Sequence, residues 1–567
     1  MGKAKVVYDN IAAGSVEKFN VSTENSAYFS NLQKIKNPHY SSIEYSNPCD
    51  YYSTILDGSN LPIDENASVS FWSESISNEN GYFEDPIILE FASAEKFESD
   101  GIKFVFDETN EIYPTQIKIC YYSEDEMIVE KYSQPTSAVF YIETNAKLYD
   151  RIIIEFYSLN MPFAHLKIKS IIQGDQIIFY GKDLINISIF QEMNLISSEL
   201  PISTCDLEIK TNEQYFFQKG QKINVYFDEK LQGAFYVKKI IEKENGKFSF
   251  QAEDAIGKME SANFVGGMYR NENAVNIINE ISKSCGVLFD ISSEIYDKKI
   301  NGYIPYTNCR RALCLVLMAI GCVAKTSKSE QLKVYTLKND VIQQLETDRV
   351  LIGEKKEFNE PFYSLNINCH RYYGDNSKKT TLFKSEENGI GKNIFIIFNE
   401  PVFDVEITNG EIVEIHDNYA IINAYEDCNF IGYGYAHEVN PKEMINSNFL
   451  NYFDKSIISI PDSTLITSKN IDFVLEMCYN YFIRTNKISC KITERDKTKR
   501  ILNKYGNSIF GVDKYLYNSQ TVHEKDIDLG ETIIIPTKKE SVNATITKLK
   551  YNLNGNIIIK DVEAIIQ

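Results

Sequence analysis

The chain has 567 residues, 43% hydrophobic and 24% charged, enough for about four domains with ordinary cores and no need of staples. Its net charge of −20 sets its surface against phosphate backbones, so broad nucleic-acid binding is not expected. The 37 Tyr and 33 Phe favour strands and point to a β-rich fold.

The N-terminus, MGKAKVVYDNIAAG, lacks an apolar core of signal-peptide length. Residues 1–45 are polar and read as an N-terminal arm or an early strand. From Tyr51 to about Ile172 short alternating runs follow one another: SVSFWSES, DPIILEF, GIKFVFD, TQIKICYY, SAVFYIE, DRIIIEFYS and AHLKIKSII. Turn signals at Asn80-Gly81, at Asp100-Gly101 and at Asn110 with Pro114 divide them, the pattern of a β-sandwich. Trp72, the single tryptophan, lies in the first run. On the surface it would be a platform for stacking a sugar. In the core it would build the sandwich, and the core is where most tryptophans lie.

At Gln173-Gly174-Asp175 the character changes. Residues 173–262 carry strands joined by tight turns at Gly233 and Asn245-Gly246, and read as a small barrel. Residues 263–344 are mixed α/β. One helix is capped by Asn271 or Asn273, shows an Ala274, Ile277, Ile278, Ile281 face and stops at Gly286. A second runs from about Asn308 to Ile320 and stops at Gly321. Residues 345–567 return to β as a second barrel region, with a helix near 468–484. Within it NIFIIFNEPV is apolar on both faces, so cover on both sides is expected. A weak repeat links the strand–turn–strand units near 220–252 and 529–562, each opening on Gly-x-x-[IV].

Chemistry-bearing motifs are scarce. The six His, at 39, 165, 370, 416, 437 and 523, have no HExxH or HxH spacing, and Cys369-His370 would point to opposite faces of a strand. No metal or cofactor is expected. NGIGK at 388–392 has Glu386 and Asn393 where a phosphate-binding loop needs Gly and Ser or Thr, so it reads as a turn. No GxSxG and no nucleophile set occurs, and no catalytic residue is assigned. The eleven cysteines, at 49, 120, 205, 285, 309, 314, 322, 369, 428, 478 and 490, form no CxxC and often lie in apolar runs, as befits a reducing cytoplasm. The longest apolar stretch, 312–324, is too short to cross a bilayer, so no membrane insertion is expected.

Against this background the run YSTILDGSNLP…FWSESISNENGYFEDPIILEFASAEKFESDGIKFVFDE resembles the discoidin-like, galactose-binding-type sandwich found inside tail proteins of Gram-positive phages. The LDGS turn at 56–59, the Trp-Ser-Glu core at 72–77 and NGYF-x-x-P at 80–86 carry the resemblance, which spans residues 46–172. Downstream, GQKINVYFDEKLQGAFYVKK, NAVNIINEISKSCGVLF and NCRRALCLVLMAIGCVAK resemble the late-control type of tail or baseplate hub, and LGETIIIPT…ITKLKYNLNGNIIIKDVEA is similar to that family's closing barrel.

The resemblance implies a mainly β fold with α+β parts: a discoidin-like sandwich, two small tube-type barrels and a mixed α/β insertion. It implies a structural hub at the tip of a phage tail or phage-tail-like bacteriocin, not an enzyme. Such a hub is a homotrimer that contacts the tail tube protein, a spike or central-tip protein, other baseplate proteins and the tape measure protein. It is assembled in the bacterial cytoplasm and released with the particle. A carbohydrate-binding adhesin is the alternative. Labelling after denaturation, without prior reduction, is expected to recover all 11 thiols per chain; recovery of only a few would contradict folding in a reducing compartment.

Overall fold

The computed structural model describes residues 4–27, 30–36, 70–108, 110–213, 215, 217–338, 340–345, 350, 354–357, 363–445, 457–482, 487–494, 526–537, 540–554 and 557–566. The LDGS turn, His39, Cys49 and His523 lie outside them. The fold is mainly β with α+β parts.

The first β unit alternates as its sequence does. In Val139–Leu159, Ile152, Ile154 and Phe156 are buried while the residues between them are partly open. The sheet runs Asn20–Ser22, Tyr82–Val105, Val139–Leu159, Pro114–Ser123, Glu126–Ser133, with Ser170–Ile172 also on Tyr82–Val105. The pair Phe71–Ile76 and His165–Ile168 contributes Phe71, Leu166 and Ile168 to the same core. Asp100-Gly101 is not a turn. Tyr82–Val105 passes straight through it, with a register shift between Ser99 and Gly101. A Cβ on Gly101 would lie 2.4 Å from the Tyr141 hydroxyl and 2.5 Å from the Ile142 carbonyl, so the glycine serves close strand approach. Glu126–Ser133 escaped the sequence reading because an exposed edge strand lacks apolar alternation.

Trp72 is a core residue, 8% exposed. It sits opposite Lys167 in the register, with Lys167 Nζ 4.0 Å from its ring centroid and His165 stacked at 6.1 Å. Lys167 lies 3.8 Å from Asp107 with both side chains sealed. Burial pushes the Lys167 pKa down to about 8 against the opposing pull of Asp107.

Of the first 45 residues, 4–11 form the early strand and not an arm. Ala4–Ile11 lies inside a second, larger sheet, between Gly174–Tyr180 and Lys222–Phe227, where Tyr8 donates to Gln221 Oε1 at 2.8 Å. This sheet has thirteen strands. Its main path runs Gly174–Tyr180, Ala4–Ile11, Lys222–Phe227, Lys230–Lys243, Lys247–Glu253, Thr204–Lys210, Leu184–Glu192, Ser541–Asn554, Ile557–Ile566, Lys487–Glu494, Lys355–Glu357. The two barrels expected from the sequence are therefore halves of one sheet over one core.

Between the halves sits the mixed α/β unit. Asn273 caps Ala274–Cys285 by accepting from Val275 N at 3.1 Å, and Gly286 ends it in the left-handed region. Cys309–Ile320 is buried apart from Arg310 and Arg311, because it packs against both Ala274–Cys285 and Ile471–Phe482. The region 345–567 is not a single barrel. Ser364–Lys384 pairs with the long strand Tyr419–Ile445, which also takes Gly391–Ile397 and Val402–Ile415, and Ile457–Ser459 adds parallel to 364–366, so the described residues here form a separate five-stranded sheet with its own core. Within one chain NIFIIFNEPV is covered on one face, and the second cover its sequence calls for would come from a neighbouring chain. Its strand Gly391–Ile397 turns Ile394 and Ile396 to the core side, while Phe395 and Ile397 are 49% and 46% exposed.

The sealed position of Trp72 predicts blue-shifted emission poorly quenched by acrylamide. Red, readily quenched emission from the folded chain would place the ring in solvent.

Candidate assembly interface

The two halves of the large sheet repeat one another strand for strand. In the first half Lys222–Phe227 pairs with Lys230–Lys243, that strand with Lys247–Glu253, then Thr204–Lys210, then Leu184–Glu192. In the second Thr532–Pro536 pairs with Ser541–Asn554, that strand with Ile557–Ile566, then Lys487–Glu494, then Lys355–Glu357. The registers shift at matching places, between Val237 and Lys239 and between Ile546 and Lys548. Each first strand enters through a glycine in the left-handed region, Gly220 at φ +86° and Gly530 at φ +74°. Gly220 N donates to Val237 O at 2.7 Å and Val237 N to Gln221 O at 2.9 Å; Gly530 N donates to Ile546 O at 2.9 Å and Ile546 N to Glu531 O at 3.0 Å. The weak repeat in the sequence, GQKI against GETI, is the trace of this duplication.

One hairpin steadies both halves. Thr326 donates to the buried Asp254 Oδ2 at 2.6 Å at the end of the first, and Lys325 reaches Asp528 Oδ2 at 2.7 Å at the start of the second. Beside it Lys328 and Lys560 share Asp526 at 2.6 and 2.8 Å. Burial raises the Asp254 pKa and lowers that of Lys328, as expected of charges taken out of water.

The halves meet where residues 188–192 pair antiparallel with 548–552. Glu192 and Lys548 form an ion pair at 3.0 Å. Beneath it Tyr551 donates to Gln232 O at 3.1 Å, Gln191 Nε2 donates to the same carbonyl at 3.1 Å, and Tyr551 lies 3.2 Å from Gln191 Oε1. A buried polar knot of this kind fixes register, because any slip would strand its members without partners.

The remaining candidate residues do not gather into a reactive site. His165 is buried, with Nδ1 2.8 Å from Ser73 O, and burial lowers its pKa. His416 stacks on Tyr419. His370 and His437, 67 residues apart, do meet: His370 Nδ1 lies 2.8 Å from His437 Nε2, and His370 Nε2 2.7 Å from Asp462 Oδ1. His370 is 2% exposed, so this chain of hydrogen bonds ties the separate sheet to the turn before helix Ile471–Phe482. Sequence spacing carries no signal for it, since the contact follows from a cross-strand pairing. Cys369 takes no part. NGIGK joins the short helix Ser385–Asn388 to Gly391–Ile397. Among the described residues no three His, Cys, Asp or Glu are placed to hold a metal, and no helix is long and apolar enough to cross a membrane.

The twin glycines are unequal in their surroundings. A Cβ on Gly530 would lie 2.5 Å from the Tyr335 hydroxyl, whereas one on Gly220 meets only Ala13 Cβ at 3.4 Å. Gly220→Ala is expected to cost about 1 kcal/mol through its positive φ alone, and Gly530→Ala about 2–3 kcal/mol with the added clash. Thermal melts of the two variants test this, and equal losses would contradict the steric difference.

Solved structures similar to the chain include the 43 kDa tail protein of prophage MuSo2 from Shewanella oneidensis, at 10% identity over 69% of this chain and 95% of that one, TM-score 0.39. A tail protein from Neisseria meningitidis MC58 is similar at 7% identity over 69% and 93%, TM-score 0.40. Prophage tail protein gp18 from Listeria monocytogenes EGD-e is similar at 9% identity over 69% and 91%, TM-score 0.38. No family model and no curated protein matches the chain.

Proposed function

We propose that the chain is a structural hub of a phage tail or phage-tail-like particle, capping the tail tube and seating the spike or fibre, with no catalytic step of its own. The observation that carries this reading is the duplicated strand unit within one continuous sheet. A tube with six-fold symmetry and a spike with three-fold symmetry need an adaptor that shows six similar faces on one side and three on the other. A chain that holds one unit twice meets that need as a homotrimer. The resemblance in sequence falls on the same segments, GQKINVYFDEKLQGAFYVKK in the first half and LGETIIIPT in the second.

In this reading the large sheet faces the tail tube protein, and the spike or central-tip protein, other baseplate proteins and the tape measure protein are its remaining partners. Assembly takes place in the bacterial cytoplasm, and the hub leaves with the released particle. The burial of Trp72 takes this ring out of use as a platform for stacking sugars, which supports the hub reading over an adhesin that binds through it.

Imaging of the assembled particle tests the proposal. Three copies in a ring between tube and spike are expected, and one copy per six-fold step would refute the trimer. The purified chain is expected to leave cell wall undigested.

A further inference from the structure

The duplicated halves are not equally satisfied. In the second half the long strand Ser541–Asn554 is paired along both sides, because residues 548–552 receive Leu184–Glu192 on the side where Thr532–Pro536 has ended. The matching stretch of the first half, 239–243 of Lys230–Lys243, pairs with 247–251 on one side, and no described strand lies along the other. The counterpart of Leu184–Glu192 in the second half is Lys355–Glu357, which pairs with 487–489 and with no other described strand. One chain thus makes this junction once and holds both halves of a second. Lys355–Glu357 ends the main path of the sheet, and six strands separate it there from Lys230–Lys243, so the two edges do not meet within one chain.

We propose that a second copy of this chain completes the junction, its Lys355–Glu357 adding antiparallel to 239–243 of the first. The inference rests on the hub reading and names the contact that closes the ring. The occupant is a second copy because the structure already shows what fits such an edge, and among the described residues the one other strand in the matching place, Lys355–Glu357, is on this same chain. The register carries over. Ser188 and Lys355 occupy matching places, opposite Asp206 and Ser489, and 239–243 matches 548–552 after the shared shift. Pairing of Ser188 with Asn552 and Ile189 with Tyr551 therefore becomes Lys355 with Lys243, Lys356 with Glu242 and Glu357 with Ile241. Lys356 and Glu242 are complementary, Glu357 lies diagonal to Lys239 and Lys243, and Lys243 is already engaged by Glu208 at 3.1 Å. Ile241, 38% exposed, is an apolar side chain on this open edge. The contact is heterologous, head to tail, so its repetition gives a ring when the rotation between copies closes and a filament when it does not, and it covers an edge that would otherwise invite unspecific pairing.

Charge reversal tests it in the full chain. Lys356→Glu and Glu242→Lys are each expected to raise the concentration for half-assembly at least about tenfold, and the double variant to restore it, as read by mass photometry. Lys356→Glu also sets a carboxylate beside Glu540, the partner of the half-buried Lys356, so a thermal melt of each variant is read beside its assembly and unchanged melting assigns the loss to the contact. With Lys356→Cys and Glu242→Cys together, oxidation is expected to give covalent multimers on a non-reducing gel. An oligomer indifferent to the single reversals, or a double variant as weak as either, overturns this contact and leaves the hub reading standing. A wild-type chain that stays monomeric at every concentration, with slow hydrogen exchange at 239–243, overturns both, since its own chain then covers the edge.

Discussion

Everything in this molecule hangs on the antiparallel pairing of residues 188–192 with 548–552. It joins segments some 360 positions apart, the separation of Gln191 and Tyr551 in the knot beneath it. Without it the two halves of the large sheet would each expose an edge and half a core. With it they share one apolar interior, from Val6 and Tyr8 in the first strand to Val562 and Ala564 in the last. Closing so long a loop is slow, because its entropy cost precedes the contacts that offset it.

The other units are insertions into this sheet. The first β unit fills the chain between Ala4–Ile11 and Gly174–Tyr180, the α/β unit follows Lys247–Glu253, and the separate five-stranded sheet lies between Lys355–Glu357 and Lys487–Glu494. Each insertion has its own apolar cluster, so it keeps its form while the sheet fixes where it is placed. The contacts between the last two insertions combine apolar packing, Met318 among Leu365, Ile466 and Val474, with specific hydrogen bonds. Asn418 Nδ2 donates to Val265 O at 2.6 Å and Ile304 O at 2.9 Å, and Met268 N donates to Asp417 Oδ2 at 2.9 Å. The His370–His437–Asp462 chain does the same within the third insertion, between its sheet and the turn before Ile471–Phe482. Such joints set orientation more than they add stability, since each bond replaces one to water.

The absence of a reactive cluster among the described residues and the sealing of Trp72, His165 and His370 are consequences of the same design. Aromatic and imidazole groups that looked available for chemistry serve as packing and as joints. Lys167 illustrates the point: its ammonium lies over Trp72 and beside Asp107, and burial depresses its pKa, yet the pair faces the interior. A perturbed pKa is as natural in a structural ion pair as in a catalytic one.

The sequence by itself determined the β-rich class, the helix limits at Gly286, Asn308 and Gly321, a cap at Asn271 or Asn273, and the apolar alternation of strands such as Val139–Leu159. These are local effects of backbone and side-chain geometry, legible within ten residues or so. It also held the faint Gly-x-x-[IV] repeat, since a left-handed entry and a following buried position constrain residue type. Tertiary structure alone decided the rest. Asp100-Gly101 reads as a turn but lies in a continuous strand, because the approach of Tyr141 and Ile142 from the next strand excludes a side chain there. Residues 4–11 read as an arm or an early strand, and pairing on both sides makes them an interior strand. Region 345–567 read as one barrel, yet the pairing of Ser364–Lys384 with Tyr419–Ile445 splits it. In each case the deciding hydrogen bonds come from a strand remote in sequence, and a strand carries no mark of which partner will supply them.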